Sequence, residues 1–155
     1  MSAIVIEYLV ERRDLLPTVQ AWFEAEWPTY YGPGGRGSAQ HDLRAYANRG
    51  SLPVGLVALR RGAPCGFAAL KADSLPTHLH LLPWVGAGYV EPSLRRQGIG
   101  HELLLALEVE ARALGYACIY CATATAVSLL RRSGWHLLED VQHDGESLSV
   151  FEKAL

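Results

Sequence analysis

The sequence predicts a mixed α/β fold, a sheet flanked by helices. Three observations carry the prediction. Strand-like and helix-like segments alternate along the chain, one strand–helix–strand crossover spans residues 84–123, and two strand-like runs close the chain. At 155 residues, half of them hydrophobic, the chain is long enough for one domain, 1–155, with a substantial core.

The elements follow in order. "IVIEYLV" (4–10) reads as a first strand, and "LLPTVQAWFEAEW" (15–27) as a helix with Pro17 in its first turn. "YYGPGGRGS" (31–38) is a glycine-rich loop, and "AQHDLRAYANRG" (39–50) is a second short helix ended by Gly50. "PVGLVALRRGAPCGFAALKAD" (53–73) gives two strands joined by a turn around Gly62, Ala63 and Pro64. After a loop carrying His78 and His80, "WVGAGYVEP" (84–92) is a strand interrupted by Gly86 and Gly88. "GIGHELLLALEVEARALG" (98–115) is a helix, with Leu103, Leu104, Leu107, Ala111 and Leu114 on one face and Gly115 as its stop. "YACIYCAT" is a buried strand, "AVSLLRRSG" a short helix, and "WHLLED" and "SLSVFEKAL" a final strand pair. The crossover around 98–115 makes its two flanking strands parallel neighbours.

Charge narrows the function classes. The formal net charge is −2, and no basic tract or basic amphipathic face is present, so neither nucleic acid nor a membrane surface is an expected partner. No stretch reaches the ~20 apolar residues of a membrane span. The first residues carry no charged leader. Three cysteines, an odd number without a disulfide framework, fit a reducing cytoplasm. Lys71 and Lys153 are the only lysines.

"PSLRRQGIGHELL" (92–104) poses an electrostatic question. Arg95 and Arg96 precede a helix start whose N–H groups already carry partial positive charge, an arrangement that costs roughly 0.3–1 kcal/mol per cation. Gly98 and Gly100 loosen the same turn. If phosphate oxygens fill the turn, amides and arginines become attractive and the glycines admit the ligand to the backbone. If they do not, the stretch is a helix capped by Ser93 with two solvated arginines. Local physics leaves both readings open. There is no Gly-Lys-Ser/Thr ending and no third glycine of a dinucleotide fingerprint, which excludes those two phosphate loops. The glycines of "VGAG" add an independent signal, because glycine inside a strand marks a bulge or the close approach of a ligand.

"YVEPSLRRQGIGHELL" resembles the acetyl-CoA signature of the GNAT superfamily of N-acetyltransferases, Arg/Gln-x-x-Gly-x-Gly/Ala after a strand ending in Val-x-Pro. Arg95, Gly98 and Gly100 fill the defining positions, with Val90 and Pro92 upstream. "LLPWVGAGYV" resembles a frequent bacterial version of the preceding strand, and "LLRRSGWHLLED…LSVFEKAL" resembles the family's closing elements. The resemblance implies a GNAT-like fold: a mostly antiparallel mixed sheet of about six or seven strands, a splayed or bulged central strand and about four helices. It implies acetyl-CoA as cosubstrate, with Gln97, Gly98, Ile99, Gly100 and His101 holding the pyrophosphate through their amides, helped by Arg95 and Arg96. The backbone of Gly88, Tyr89 and Val90 is implied to run beside the pantetheine arm and to polarise the thioester carbonyl. Transfer to an amine is implied to be direct, in one ternary complex, so no cysteine nucleophile is required.

That chemistry needs a neutral amine. An alkylammonium of pKa near ~10.4 gives up about 4.6 kcal/mol to be neutral at pH 7. A base, a desolvating pocket or a low-pKa acceptor must offset this. The family's tyrosine acid position holds Leu130 here, and the position of a glutamate base found in some members holds Trp84. The remaining catalytic candidates are His80, with His78 behind it, and Glu26 at the end of the first helix. Tyr120 and Cys121 are possible proton donors that also suit a core. Trp27, Tyr30, Tyr31 and Trp84 are expected to line an acceptor cleft, Trp22 and Phe23 to pack in the core, and the loop at 32–37 to serve as a lid or an ordinary surface loop. No metal is expected: Cys118 and Cys121, three apart on a strand, point to opposite faces. The reading is an N-acetyltransferase acting on a small amine or amino-acid-like molecule, with a homodimer possible. The alternatives are a protein N-terminal or lysine acetyltransferase and a non-catalytic acyl-CoA sensor.

Overall fold

Seven strands form one sheet in the order β1-β2-β3-β4-β5-β7-β6. The computed structural model describes residues 3–155; Met1 and Ser2 lie outside them. The strands are β1 (Ile4–Tyr8), β2 (Val54–Arg60), β3 (Ala63–Lys71), β4 (Trp84–Val90), β5 (Cys118–Thr123), β6 (His136–His143) and β7 (Glu146–Ala154). The helices are α1 (Leu16–Glu26), α2 (Pro28–Tyr31), α3 (Ala39–Tyr46), α4 (Ile99–Ala113) and α5 (Val127–Arg132). All neighbouring strands pair antiparallel except β4 and β5, which α4 joins in parallel as the crossover predicts. Among the described residues no helix is long and apolar enough to cross a membrane.

The sheet is covered on both faces where the site lies. On one face α4 buries Ile99, Leu103, Leu104, Leu107 and Ala111 against Cys65, Ala68 and Leu70 of β3, Val85 of β4 and Ile119 of β5. Each fully buried aliphatic side chain contributes roughly 1.5–3 kcal/mol, so the stripe read at 3.6-residue spacing anchors this helix. On the other face α1 and α3 pack Val19, Trp22, Phe23, Leu43 and Tyr46 against Phe67 and Ala69 of β3. Beyond β4, the second face is covered by Trp84, Leu75 and Val150 in a separate small cluster.

Several boundaries differ from the sequence reading for local reasons. The first strand stops at Tyr8, and the chain continues in two short 3₁₀ turns, Leu9–Glu11 and Arg13–Leu15. The first helix ends at Glu26 because Trp27 precedes a proline and takes φ −124°, ψ 61°. Pro28 then opens α2 inside what reads as loop. The second predicted helix starts as expected, with Ser38 Oγ accepting from the His41 N–H, but ends at Tyr46. There Asn48 donates to the carbonyls of Ser51 and Pro53 and turns the chain into β2.

One buried charge interrupts the α4 stripe. Glu108 is 7% exposed at its side chain and pairs with Lys153 of β7 at 2.9 Å. Lys153 also donates to the Ser133 carbonyl at 2.9 Å. The pair ties α4, the turn after α5 and the last strand together.

Candidate active site

The central strands part at one end. β4 and β5 pair only at Trp84–Tyr120 and Val85–Cys121. β4 continues beside β3 to Val90, and β5 continues beside β7 to Thr123. A wedge therefore opens between them beyond Val85. At the same point β4 bulges: Ala69 faces Gly86 and Phe67 faces Tyr89, so Ala87 and Gly88 together oppose Ala68. Ala87 takes φ 53°, a left-handed value that costs a non-glycine residue about 1–3 kcal/mol. Such bulges disrupt the ladder and re-aim backbone groups. The interruption predicted at Gly86 and Gly88 is present, and the left-handed residue is the alanine between them. Thr123 Oγ1 closes the far wall, accepting the N–H groups of Thr125 and Ala126 as the chain turns into α5.

The mouth of the wedge is the turn into α4. Pro92–Leu94 forms a 3₁₀ turn, which removes Ser93 from the helix start, and the N-cap is Gly98 with φ 87° and no side-chain cap. The Ser93-capped reading is thereby overturned. The first intrahelical bond here is Glu102 N–H to the Gly98 carbonyl, so the amides of the preceding turn have no intrahelical partner. Only glycine takes this φ without strain. Uncapped amides at the positive end of a fifteen-residue helix suit a phosphate group.

The structure gives the predicted cradle residues different tasks. Arg96 takes φ 64°, is exposed and has no partner among the described residues. Arg95 instead turns back: Nε donates to the Val90 carbonyl at 2.8 Å, and Nη2 meets Glu26 at 2.9 Å. Arg95 thus fastens the end of β4 to α1, where the sequence reading had it beside the pyrophosphate. Glu26 is correspondingly the ion-pair partner of Arg95. Gln97 accepts from Arg60 of β2 at 2.7 Å, and His101 Nδ1 lies 3.0 Å from Ser133 Oγ. Ile99 is 1% exposed, so only its backbone faces the turn. Tyr89 stacks its ring on Trp22 at 4.9 Å, and Val90 packs on the α4 core, which leaves their main chain along the wedge.

On the α1–α3 face, Trp27 is half-buried, Tyr30 is exposed, and Tyr31 donates to Asp42 at 2.7 Å. Burial and that carboxylate push the Tyr31 hydroxyl far above its ordinary value, so it acts as a donor. Trp84 does not belong with them. It is 0% exposed, donates Nε1 to the Leu81 carbonyl at 2.6 Å and packs on Leu75 and Val150. Its expected acceptor role is corrected: the loop before β4 folds over it. His80 lies exposed in that loop, at the end of β4 opposite the cradle, beside His78, which bonds Glu139 at 2.8 Å. Leu130 is buried at 1% exposure, Tyr120 sits behind the point of divergence, and burial pushes the Cys121 thiol up to about 12.

Three features escaped the sequence reading. The loop at 32–37 folds onto Tyr30, with Gly37 N–H donating to the Tyr30 carbonyl, and Arg36 reaches Asp144 in the β6–β7 turn at 2.9 Å. Arg60 holds Gln97 from β2. Lys71, at the end of β3, lays its stem across Gly86: a Cβ at Gly86 would come 2.8 Å from Lys71 Cδ and 3.7 Å from Nζ. All three depend on contacts remote in sequence. The glycine in "VGAG" was the one local sign that something crosses β4.

Comparison with known proteins places the chain. Residues 19–135 match the family described as acetyltransferase (GNAT) family. The protein belongs to the GNAT acetyltransferase family. In fold it is similar to an aminoglycoside 6'-N-acetyltransferase crystallised with coenzyme A (15% identity, 97% of this chain and 96% of that chain covered, TM-score 0.79). It is also similar to a ribosomal-protein-alanine N-acetyltransferase from Brucella melitensis (22% identity, 97% and 99% covered, TM-score 0.74). A third likeness is to yncA from Salmonella typhimurium with its cofactor acetyl-CoA (18% identity, 99% and 94% covered, TM-score 0.71). No curated protein sequence matches the chain.

Proposed function

We propose that the protein transfers the acetyl group of acetyl-CoA to the amine of a small or amino-acid-like acceptor. One observation carries this reading: the wedge between β4 and β5, the bulge at Ala87–Gly88 and the uncapped turn at Gly98 meet at one end of the same strand. A long phosphorylated thioester fits such a slot, with its charge on the α4 amides and its arm along the backbone of β4. Acetyl-CoA supplies an activated acetyl thioester; the chain's own groups bind, orient and shield it.

In this reading Arg96 and the amides of residues 97–101 hold the pyrophosphate. The β4 backbone at Gly88–Val90, freed from a β5 partner, donates to the thioester carbonyl and steadies developing negative charge. Arg95 is a positioning residue, since its bonds to Val90 and Glu26 set the angle between strand end and helix start. The α1–α3 face, with Trp27, Tyr30 and Tyr31, receives the amine from the side opposite α4. With Glu26 paired to Arg95 and His80 exposed in the loop before β4, positioning and desolvation carry the reaction, and water takes the proton. The test is a calorimetric titration. Acetyl-CoA is expected to bind saturably at one site with a micromolar dissociation constant, and absence of heat at high micromolar ligand would overturn the reading.

A further inference from the structure

Lys71 is one of the two lysines of the chain, and among the described residues it has no partner. The other lysine, Lys153, is held by Glu108 and the Ser133 carbonyl. Among the described residues no carboxylate lies within 4.0 Å of Lys71 Nζ and no hydrogen bond engages it. The carboxylates around this face have partners of their own: Glu26 pairs with Arg95, Asp42 accepts from Tyr31, and Asp144 meets Arg36 and His143. Asp73, two residues along, faces Tyr46 and makes no ion pair with Lys71.

Its placement is specific. Lys71 pairs with Trp84 in the β3–β4 register, and its side chain leans over Gly86, the last residue before the bulge. Gly86 stands opposite Ala69, whose side chain packs against α1 and α3. The ammonium group therefore lies on the face from which the acceptor approaches, beside the inner end of the wedge. A Cβ at Gly86 would come 2.8 Å from Lys71 Cδ, so a side chain there would push the lysine stem off the strand.

We infer that Lys71 recognises an anionic group on the acceptor, so that the preferred acceptors are amines that carry a carboxylate. This rests on the transferase reading and narrows it. An unpaired cation at this place repels polycationic amines. It also lowers the proton affinity of a nearby ammonium, which helps to form the neutral nucleophile. A charged hydrogen bond inside a desolvated cleft discriminates strongly against an acceptor lacking the group.

The experiment compares an α-amino acid, its carboxamide and the corresponding decarboxylated amine as acceptors, following thiol release from acetyl-CoA. The wild type is expected to favour the carboxylate by about 10- to 100-fold in kcat/KM, the range of a charge-assisted hydrogen bond. Lys71→Met should collapse that preference to within about threefold, acting on acceptor KM while the KM for acetyl-CoA stays unchanged. Lys71→Arg should restore much of it. Equal use of all three amines by the wild type, a preference for polycationic amines, or a preference that survives in Lys71→Met would overturn the inference while leaving the transferase reading intact. If no amine supports thiol release in the wild type, the transferase reading and this inference fall together.

Discussion

Arg96→Glu combined with Gly98→Glu is expected to raise the dissociation constant for acetyl-CoA at least about 100-fold, with the helical and sheet content unchanged by circular dichroism. The first substitution places an anion where the exposed Arg96 stands, and the second adds a carboxylate and a side chain at the mouth of the α4 turn. Gly98 has φ 87° and no heavy atom within 4 Å of the position a Cβ would take, so the first atom of the new side chain meets no protein atom. Losing two charge-assisted hydrogen bonds of roughly 1.5–3 kcal/mol each already accounts for a factor of 100 or more. Backbone strain at Gly98 adds about 1 kcal/mol of instability, and Gly98→Ala isolates it. That single variant should lower the melting temperature by a few degrees and retain binding. Binding unchanged in the double variant would remove the α4 turn from the site.

Lys153→Met is expected to destabilise the fold by about 2–4 kcal/mol in urea unfolding, because it leaves Glu108 charged and buried without its counter-ion. The side chains are 24% and 7% exposed, so water compensates the lysine end only in part. Glu108 Oε2 and Trp135 Nε1 are already buried without hydrogen-bond partners, which leaves the cluster nothing to redistribute. Adding Glu108→Gln to Lys153→Met should recover at least about 1 kcal/mol, since the stranded charge is then gone. The effect reaches the site, because Lys153 holds the Ser133 carbonyl and Ser133 Oγ meets His101 in the first turn of α4. Weaker acetyl-CoA binding should accompany the loss of stability.

Features set by local rules were legible in the sequence. The α4 stripe is periodic and the crossover makes β4 and β5 parallel, whereas the sequence leaves the α4 start open between a Ser93 cap and an uncapped turn, which Gly98 at the N-cap resolves. The strand glycines marked the bulge, although the strained residue is Ala87, which the packing of β3 against β4 selects and no propensity reveals. Trp84 was misassigned because its strand position is local while its cover is not: the loop at 75–82 and Val150 of β7 close over it. Arg95 and Glu26, 69 residues apart, were read as separate functional groups, and the fold makes them one ion pair. Lys71 went unread for the opposite reason. A lysine at a strand end is ordinary in sequence, and its meaning comes from Gly86 on the next strand.

The claim that this fold catalyses acetyl transfer to an amine is tested most directly by one measurement: thiol release from acetyl-CoA, with the acetylated product weighed by mass spectrometry. Release is expected to depend on the added amine, to saturate with it and to match the N-acetylated product one for one, with no acetyl group left on the protein. Tight binding of acetyl-CoA with no amine-dependent release across carboxylated, neutral and cationic amines would contradict it, and would make the wedge a sensor of acyl-CoA.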